Sequence, residues 1–569
     1  MPKERTVSEQ SVEHEFYSSL PEGYKIGKTK YIIVTGSVMS GVGKGTFSGC
    51  LATLLTCHGL KISPIKFDGY LNYDAGTLNP YRHGEVFVLE DGAECDLDLG
   101  SYERFLNKNL SGDNYLTAGK IFKKIIDKER TGKYLGRDVQ FIPHVTGEIK
   151  NYLRELGVKT NADIVLVEVG GTVGDLENSY FIEAMRELRH EEGRENVCFV
   201  NVTYIIEPCS LGEFKSKPAQ LGIRKLMELG VQPDVIVCRS ENPIPESIKE
   251  KVSIYSNVPV NRIYNLWDMK NVYEIPLLLR NMGMDNVIFG ILKTEPKKNV
   301  DTELNFSSWE KFVERIKEVK RGITIGIVGK YTDVHDSYLS ILKALEHTGP
   351  YYGVKVNVKW VESTNIEDEK IKVDEALKGI DGIIVPGGFG KRGVEGKIMT
   401  IRYVREHKIP FLGLCFGMQL AVVEFARNVC KMKGANTTEV DPKTPYPVID
   451  FIPEQVKLVG ESRYGATMRL GSYPAVLKKG TLIRKLYGKD EVLERHRHRY
   501  EVNPKYVDIL EKNELVFSGK SPDSILMEFL ELPNHPCFIA TQAHPEFKSR
   551  PMKPSPMFNG LIKACIENK

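Results

Sequence analysis

Residues Tyr31–Phe47 read YIIVTGSVMSGVGKGTF: a β-branched apolar run, a glycine-rich turn, a lysine, and then a helix-permissive segment. This succession predicts a phosphate cradle at the end of a strand. Gly41, Gly43 and Gly45 let backbone N–H groups close on an anion, and the following helix directs its positive end at the same point. Lys44 is then placed for the terminal phosphates of a nucleotide. Val38 stands where the Walker A pattern has its first glycine, and Gly45 replaces the Ser or Thr after the lysine. Thr46 comes one step late for magnesium, so carboxylates elsewhere have to hold the metal.

The chain that follows supplies them. LATLLTCHGLKI and ISPIKFDGYLN continue as a helix and a second strand ending in Lys66, Asp68 and Tyr70, a β-α-β unit of a parallel sheet. HGEVFVLEDGAECDLDLGSYERF crowds Glu85, Glu90, Asp91, Glu94, Asp96 and Asp98 together. The interleaved Val86, Val88, Leu97 and Leu99 argue that some of these carboxylates turn inward, as hard oxygen ligands suited to magnesium. A third strand, Ile164–Val169, is apolar but for Glu168, and a buried carboxylate is costly unless paired or metal-bound. Ligands of parallel sheets lie beyond the carboxyl ends of the strands. Glu168 and the phosphate turn are therefore expected in one crevice, with Asp98 completing the metal site. Further on, a loop presents Lys215 and Lys217 at a spacing that suits one anionic ligand.

A second α/β domain begins at Ile323. Its segment IPFLGLCFGMQLAVVEFARN contains Gly413-Leu414-Cys415-Phe416-Gly417, a Gly-x-Cys-x-Gly turn with the form of a nucleophile elbow. The helix N-terminus favours the thiolate, and the next backbone N–H faces a developing oxyanion. Gly387-Gly388 offers a second donor. A nucleophilic cysteine needs a histidine and an orienting carboxylate, and FIATQAHPEF places His544 and Glu546 after another apolar strand. Between them, ERHRHRYEVN clusters Arg495, Arg497 and Arg499 with two histidines, a place for binding carboxylates.

At 569 residues the chain needs more than one core. The reading is two parallel-sheet α/β domains: a mobile extension over 1–27, a P-loop-like nucleotide-binding domain over 28–292, a charged linker over 293–321 and a second domain over 322–569. With 41% hydrophobic residues, 27% charged and a net charge of +3, nothing biases the protein toward nucleic acid or membrane. There is no apolar run of about 18 residues, and the acidic start is not signal-like, so a cytoplasmic location is expected. Ten cysteines without a Cys-x-x-Cys pair indicate neither a disulfide framework nor a zinc site. A cysteine triad that opens an amide, joined to an ATP site, implies ammonia released in one place and spent on a phosphate-activated acceptor in another.

SGVGKG, HGEVFVLEDGAECDLDLG, VEVGGTVGDLE, PGGFGKRGVEGK, GLCFGMQ, ERHRHRYEVN and HPEF together make the chain resemble the CTP synthase family, an amidoligase domain joined to a class I glutamine amidotransferase domain. The resemblance implies a ligase that aminates UTP to CTP at the expense of ATP and L-glutamine. By that likeness Gly41, Val42, Gly43, Lys44, Gly45, Thr46, Asp98, Asp268 and Met269 bind ATP, while Asp98 and Glu168 hold Mg2+. Ser40, Lys215, Ser216, Lys217, Pro218, Ala219, Gln220 and Lys251 meet UTP. Asp175, Leu176 and Glu177 belong to a CTP feedback site sharing the triphosphate pocket. Gly388, Phe416, Gly417, Met418, Gln419, Glu439 and Arg499 bind glutamine beside Cys415, His544 and Glu546. Homotetramers, activation by GTP and filament assembly are also implied. Ala219, Trp267 and Ser101 depart from the family's usual residues. Two rivals stand beside this reading: another ATP-dependent amidotransferase, such as a cobyrinic acid amidase, lacking the Lys215–Gln220 loop, and a filament-forming scaffold with a decayed site.

Overall fold

The computed structural model describes residues 20–208, 212–330, 334–451 and 468–568. The described chain divides into two compact units: residues up to Asp74 with Ser101–Glu310, and Ala75–Gly100 with Lys311 onward.

The first unit is built on seven strands, β1 (Lys30–Gly36), β2 (Ile62–Asp68), β3 (Tyr115–Thr117), β4 (Ile164–Val169), β5 (Val197–Tyr204), β6 (Val235–Ser240) and β7 (Ile263–Trp267). Their order is β3-β2-β4-β1-β5-β6-β7, and every pair is parallel. Helices cover both faces of such a sheet, so its strands bury nearly every residue, as β2 and β4 do. From β1 the chain runs first to one side and later to the other. The carboxyl end of β1, where the glycine turn begins, is thus a switch point where ligands bind. Ile33, Phe67, Val167, Phe181 and Phe199 form the core of one face.

Two sequence expectations change here. The mobile extension was drawn to residue 27; residues 1–19 lie outside the described ones, but Tyr24 is buried, its hydroxyl 2.9 Å from that of Tyr31 and the Arg154 guanidinium over its ring. The stretch 293–321, read as a linker, contains the helix Thr302–Lys317, which buries Phe306, Trp309 and Phe312. Its aromatic spacing of three residues, masked by surrounding charge, is that of an amphipathic helix.

Among the described residues, the main sheet of the second unit has nine strands: β8 (Arg321–Gly329), β9 (Val354–Glu362), β10 (Gly382–Val385), β11 (Phe411–Leu414), β12 (Arg469–Leu477), β13 (Glu491–His498), β14 (Val516–Lys520), β15 (Met527–Glu531) and β16 (Phe538–Thr541). The order is β9-β8-β10-β11-β16-β15-β14-β12-β13. The first five are parallel; the remainder join antiparallel. Ile383 and Val385 enter one core while Ile384 enters the other, the alternation of a strand covered on both faces.

Residues Ala75–Gly100, expected within the first domain, group with this second unit for a definite reason. Arg495 Nε donates to Glu90 at 3.0 Å and its guanidinium to the Val88 carbonyl at 3.0 Å, and Arg497 Nε donates to Glu94 at 2.8 Å. Glu85 accepts from the Ser340 backbone at 3.0 Å, and Phe87 packs edge-on to Phe547. Glu85, Glu90 and Glu94, which the sequence offered as metal ligands, are thus committed to protein donors. Arg495 and Arg497 of ERHRHRYEVN thus bind carboxylates of this chain.

Candidate active sites

In the second unit, Cys415 closes β11 and caps the helix Phe416–Asn428 with φ 50° and ψ −103°, a conformation that L residues rarely adopt. The turn holds because its backbone is satisfied: Cys415 N–H donates to Thr541 O at 2.7 Å, and the Met418 N–H to Cys415 O at 3.0 Å. A Cβ on Gly417 would lie 2.0 Å from the Val385 carbonyl, so the elbow packs against β10 only with glycine there. The thiol donates weakly to Arg497 O and receives the side-chain amide of Gln542, each at 3.8 Å.

His544 follows β16 through Gln542 and Ala543. Its Nδ1 lies 2.7 Å from Glu546 Oε1, its backbone N–H donates to Arg495 O at 2.7 Å, and its ring stacks on Phe547 at 5.0 Å. Burial presses the imidazole pKa down, but the electrostatic pull of Glu546 and Cys415, with hydrogen bonds to both, overrides it and raises the pKa to about 10. The resting imidazole is accordingly protonated. His544 enters the reaction already holding the proton that the leaving group needs. Gly387, Gly388, Phe389, Cys415, Arg497, His544 and Glu546 line one cavity of about 130 Å³, to which Glu85 and Val86 also contribute.

Of the predicted glutamine-binding residues, Gly388 is among those lining this cavity. Glu439 Oε1 accepts from Gly390 N–H at 2.6 Å; burial raises its pKa, against the opposing charges of Lys330 and Arg499. Gln419 donates to Tyr500 O at 2.8 Å and to Gln542 Oε1 at 3.3 Å. Gln542 was missed: it is a neutral amide two residues before the histidine, and no sequence pattern marks it.

In the first unit, the glycine turn leads into the helix Lys44–Cys57 with Gly43 at φ 93°. Lys44 is 7% exposed, and its Nζ donates to Gly171 O at 2.7 Å. This lysine bridges the turn after β1 to the glycine pair after β4. Glu168 is paired in register with Val34 and Lys66, is 2% exposed, and accepts from the Tyr102 hydroxyl. Lys66 Nζ lies 4.0 Å from Asp68. The crevice expected at the carboxyl ends of β1, β2 and β4 therefore holds Lys44, Lys66, Asp68 and Glu168. Asp98 stands half-buried in the first turn of the helix Leu97–Leu106 and is grouped with the second unit. Among the described residues, no group of three or more His, Cys, Asp or Glu is gathered as a metal site.

Beside the turn, Gly43, Thr46, Phe47, Arg239, Asp268 and Met269 line a cavity of about 180 Å³. Arg239 donates to Asp268 at 2.6 Å and to Leu266 O at 2.9 Å. The sequence reading passed over Arg239, although its place at the end of β6 follows the rule that singled out Glu168. Lys215 and Lys217 do not converge: Lys215 pairs with Glu213, and Lys217 lies over the Tyr255 ring at 5.6 Å. Gln220 donates to Ser216 at 2.9 Å, Ala219 is buried, and Lys251 and Ser40 are exposed. Asp175 accepts from Thr172 N–H at 2.7 Å, and with Leu176 and Glu177 forms an exposed turn.

Two known sequence families match the chain in succession. Residues 30–294 match the CTP synthase N-terminus and residues 333–564 match glutamine amidotransferase class-I. A CTP synthase of Pyrococcus abyssi is 54% identical over 542 residues, covering 95% of this chain and 98% of the relative. The chain belongs to the CTP synthase family. A second CTP synthase, from Methanocaldococcus jannaschii, is 50% identical over 544 residues, 95% of this chain and 99% of its own. Among solved structures, the glutaminase domain of Trypanosoma brucei CTPS with bound acivicin is 36% identical, covers 43% of this chain and 94% of that one, and has a TM-score of 0.40. As a CTP synthase the protein is a ligase that converts UTP to CTP with glutamine as nitrogen donor and ATP as co-substrate.

Proposed function

We propose that glutamine hydrolysis is carried out by Cys415, His544 and Glu546, and that the released ammonia is consumed at the crevice of Lys44 and Glu168. The observation that carries the first part is the strained elbow at Cys415 beside the 2.7 Å His544–Glu546 pair. The thiolate attacks the glutamine amide carbon, and the N–H groups of Phe416 and Gly388 receive the oxyanion. His544 gives its proton to the departing nitrogen, releasing ammonia and leaving a thioester. Water, deprotonated by His544, then frees glutamate and restores the thiol. Glu546 keeps the imidazole in the required orientation. Glu439 and Arg499 fit the amino and carboxylate ends of the substrate.

At the other site Lys44 meets the phosphates of ATP, and Arg239, Asp268 and Met269 border the adenosine. UTP is phosphorylated at its 4-oxygen, ammonia attacks the activated carbon, and phosphate leaves. Lys44 and Lys66 offset the negative charge on the transferred group. Glu168 is an oxygen donor of the kind magnesium prefers, and its burial at a strand end fits such a role; Asp98 is assigned to the metal on family grounds alone. Magnesium, held through such a carboxylate, would supply charge neutralisation to the triphosphate. Ser40, the Lys215–Gln220 loop and Lys251 are assigned to UTP, and Asp175–Glu177 to CTP acting as feedback inhibitor. GTP activation, homotetramers, possible filaments and a cytoplasmic location complete the reading on family grounds.

Glu168→Ala tests the ligase assignment, because the phosphoryl step is common to both nitrogen sources. CTP formation is expected to be lost with glutamine and with ammonium chloride alike. Near-normal ammonia-dependent synthesis in this variant refutes it.

A further inference from the structure

Behind the glutaminase centre lies a group of buried polar side chains that the chemistry above does not use. Arg469, His496, His498, Glu501 and Glu528 are each at most 8% exposed. Arg469 donates to Glu501 at 3.2 Å and to Glu528 at 2.7 Å. His496 Nδ1 is 2.9 Å from His498 Nε2, and His498 Nδ1 is 3.2 Å from Tyr500 O. His496 Nε2 faces Glu528 at 3.6 Å, and His498 Nδ1 faces Glu501 at 3.5 Å.

The hydrogen bonds run in one direction. A carbonyl only accepts, so His498 Nδ1 carries a proton and, in the neutral ring, Nε2 accepts from His496 Nδ1–H. Burial, with the charge of Arg469, drives both imidazoles toward the neutral form. Burial pushes Glu501 and Glu528 upward while Arg469 pulls each back. A buried ion-pair cluster is seldom more stabilising than an apolar core of the same volume. A purpose other than stability is therefore to be sought in what its strands carry.

Those strands carry the catalytic contacts. His496 and His498 alternate on β13 with Arg495 and Arg497, whose carbonyls accept from the His544 N–H at 2.7 Å and from the Cys415 thiol at 3.8 Å. The backbone of Glu528, on β15, accepts from Gln542 N–H at 2.9 Å, and the Gln542 amide in turn donates to Cys415 Sγ. The side chains of the cluster thus tie β13, whose backbone holds both Cys415 and His544, to β15, whose backbone holds the Gln542 that reaches the thiol.

We propose that Arg469, His496, His498, Glu501 and Glu528 are positioning residues for glutamine hydrolysis, setting the separation and orientation of Cys415 and His544 through β13 and β15. The proposal rests on the roles given above to that pair, which loss of glutamine turnover on alkylating Cys415 in the wild-type protein checks separately.

The test uses the full chain with Glu528→Ala, Glu528→Gln and His496→Leu, the last keeping volume while removing both ring nitrogens. Glutamine kcat and KM, ammonia-dependent CTP formation, thermal midpoint, and the rate of Cys415 carboxamidomethylation by peptide mapping are measured. For Glu528→Ala and His496→Leu, kcat is expected to fall about thirtyfold or more with KM within about threefold, following about 100-fold losses for misplacements near 1 Å. Cys415 alkylation is expected to slow in the same variants, and ammonia-dependent synthesis to stay at the wild-type rate. Glu528→Gln, which still accepts from Arg469, is expected to recover most of the kcat. Should Glu528→Ala not fold, His496→Leu and Glu528→Gln decide. Wild-type kcat and alkylation in a folded Glu528→Ala or His496→Leu protein, a loss confined to the thermal midpoint, or an equal fall in the ammonia route overturns the proposal.

Discussion

Adding one methyl group at Gly387 tests the geometry of the glutaminase centre more finely than removing a catalytic side chain. A Cβ there would lie 2.9 Å from His544 Cε1 and 3.6 Å from Cys415 Cβ. Carbon atoms at rest prefer about 3.5–4.0 Å, so the imidazole has to retreat by roughly 0.6 Å or more while the cysteine is barely touched. Retreat is blocked on the other side by Phe547, whose ring stacks at 5.0 Å, and by Glu546 at 2.7 Å from Nδ1. The ring therefore tilts, and its proton no longer points at the departing nitrogen. Misplacement near 1 Å costs about 100-fold, so Gly387→Ala should lose roughly 10- to 100-fold in glutamine-dependent kcat. The backbone at 387 is not in the left-handed region, so alanine adds no conformational strain. The assay is CTP formation from UTP and ATP with each nitrogen source, with ammonium chloride expected to give wild-type rates. An unchanged glutamine rate in Gly387→Ala would show that His544 does not act from its observed position.

Two further outcomes follow from the same structure. Lys217→Ala should raise the KM for UTP by about 10- to 100-fold, the worth of one charge-assisted contact, while leaving that for ATP within about twofold; equal effects on both nucleotides would place the loop in the wrong pocket. The His544 pKa is raised from 6.5 to about 10, so its contribution to stability is fully present below pH 6.5 and is lost as pH rises through about 10. The thermal midpoint of wild type should exceed that of His544→Gln by a constant amount under acidic conditions, and the two should converge above about pH 10; a gap that widens with rising pH would contradict the protonated His544 imidazolium.

What could be read from sequence followed from local chemistry. The elbow at Cys415, the His544–Glu546 pair and the glycine turn at Gly41–Gly45 each depend on neighbours in the chain, and each lies where its pattern placed it. Glu168 was legible because a lone carboxylate interrupts an apolar strand. Tertiary pairing was not. The carboxylates of residues 85–94 read as a metal site because nothing local distinguishes a ligand for magnesium from a partner for Arg495, 405 residues away in the chain. The helix Thr302–Lys317 is hidden by its charged face, and the antiparallel half of the second sheet by pairings between strands that no local spacing reveals. Gln542 acts through one amide, and the His496–His498 cluster through strands whose pairing no spacing reveals.

The proposed mechanism separates ammonia release from ammonia use. Cys415→Ala removes the nucleophile and leaves the crevice of Lys44 and Glu168 unaltered. CTP formation from UTP and ATP by this variant, with glutamine and with ammonium chloride at mildly alkaline pH as alternative nitrogen sources, measures that separation directly. Glutamine-dependent synthesis is predicted to fall by several orders of magnitude, on the order of 10⁴-fold or more as for loss of a covalent nucleophile, while ammonia-dependent synthesis continues near the wild-type rate. Loss of both activities in a folded Cys415→Ala protein would contradict it, and would assign the cysteine to the ligase chemistry itself.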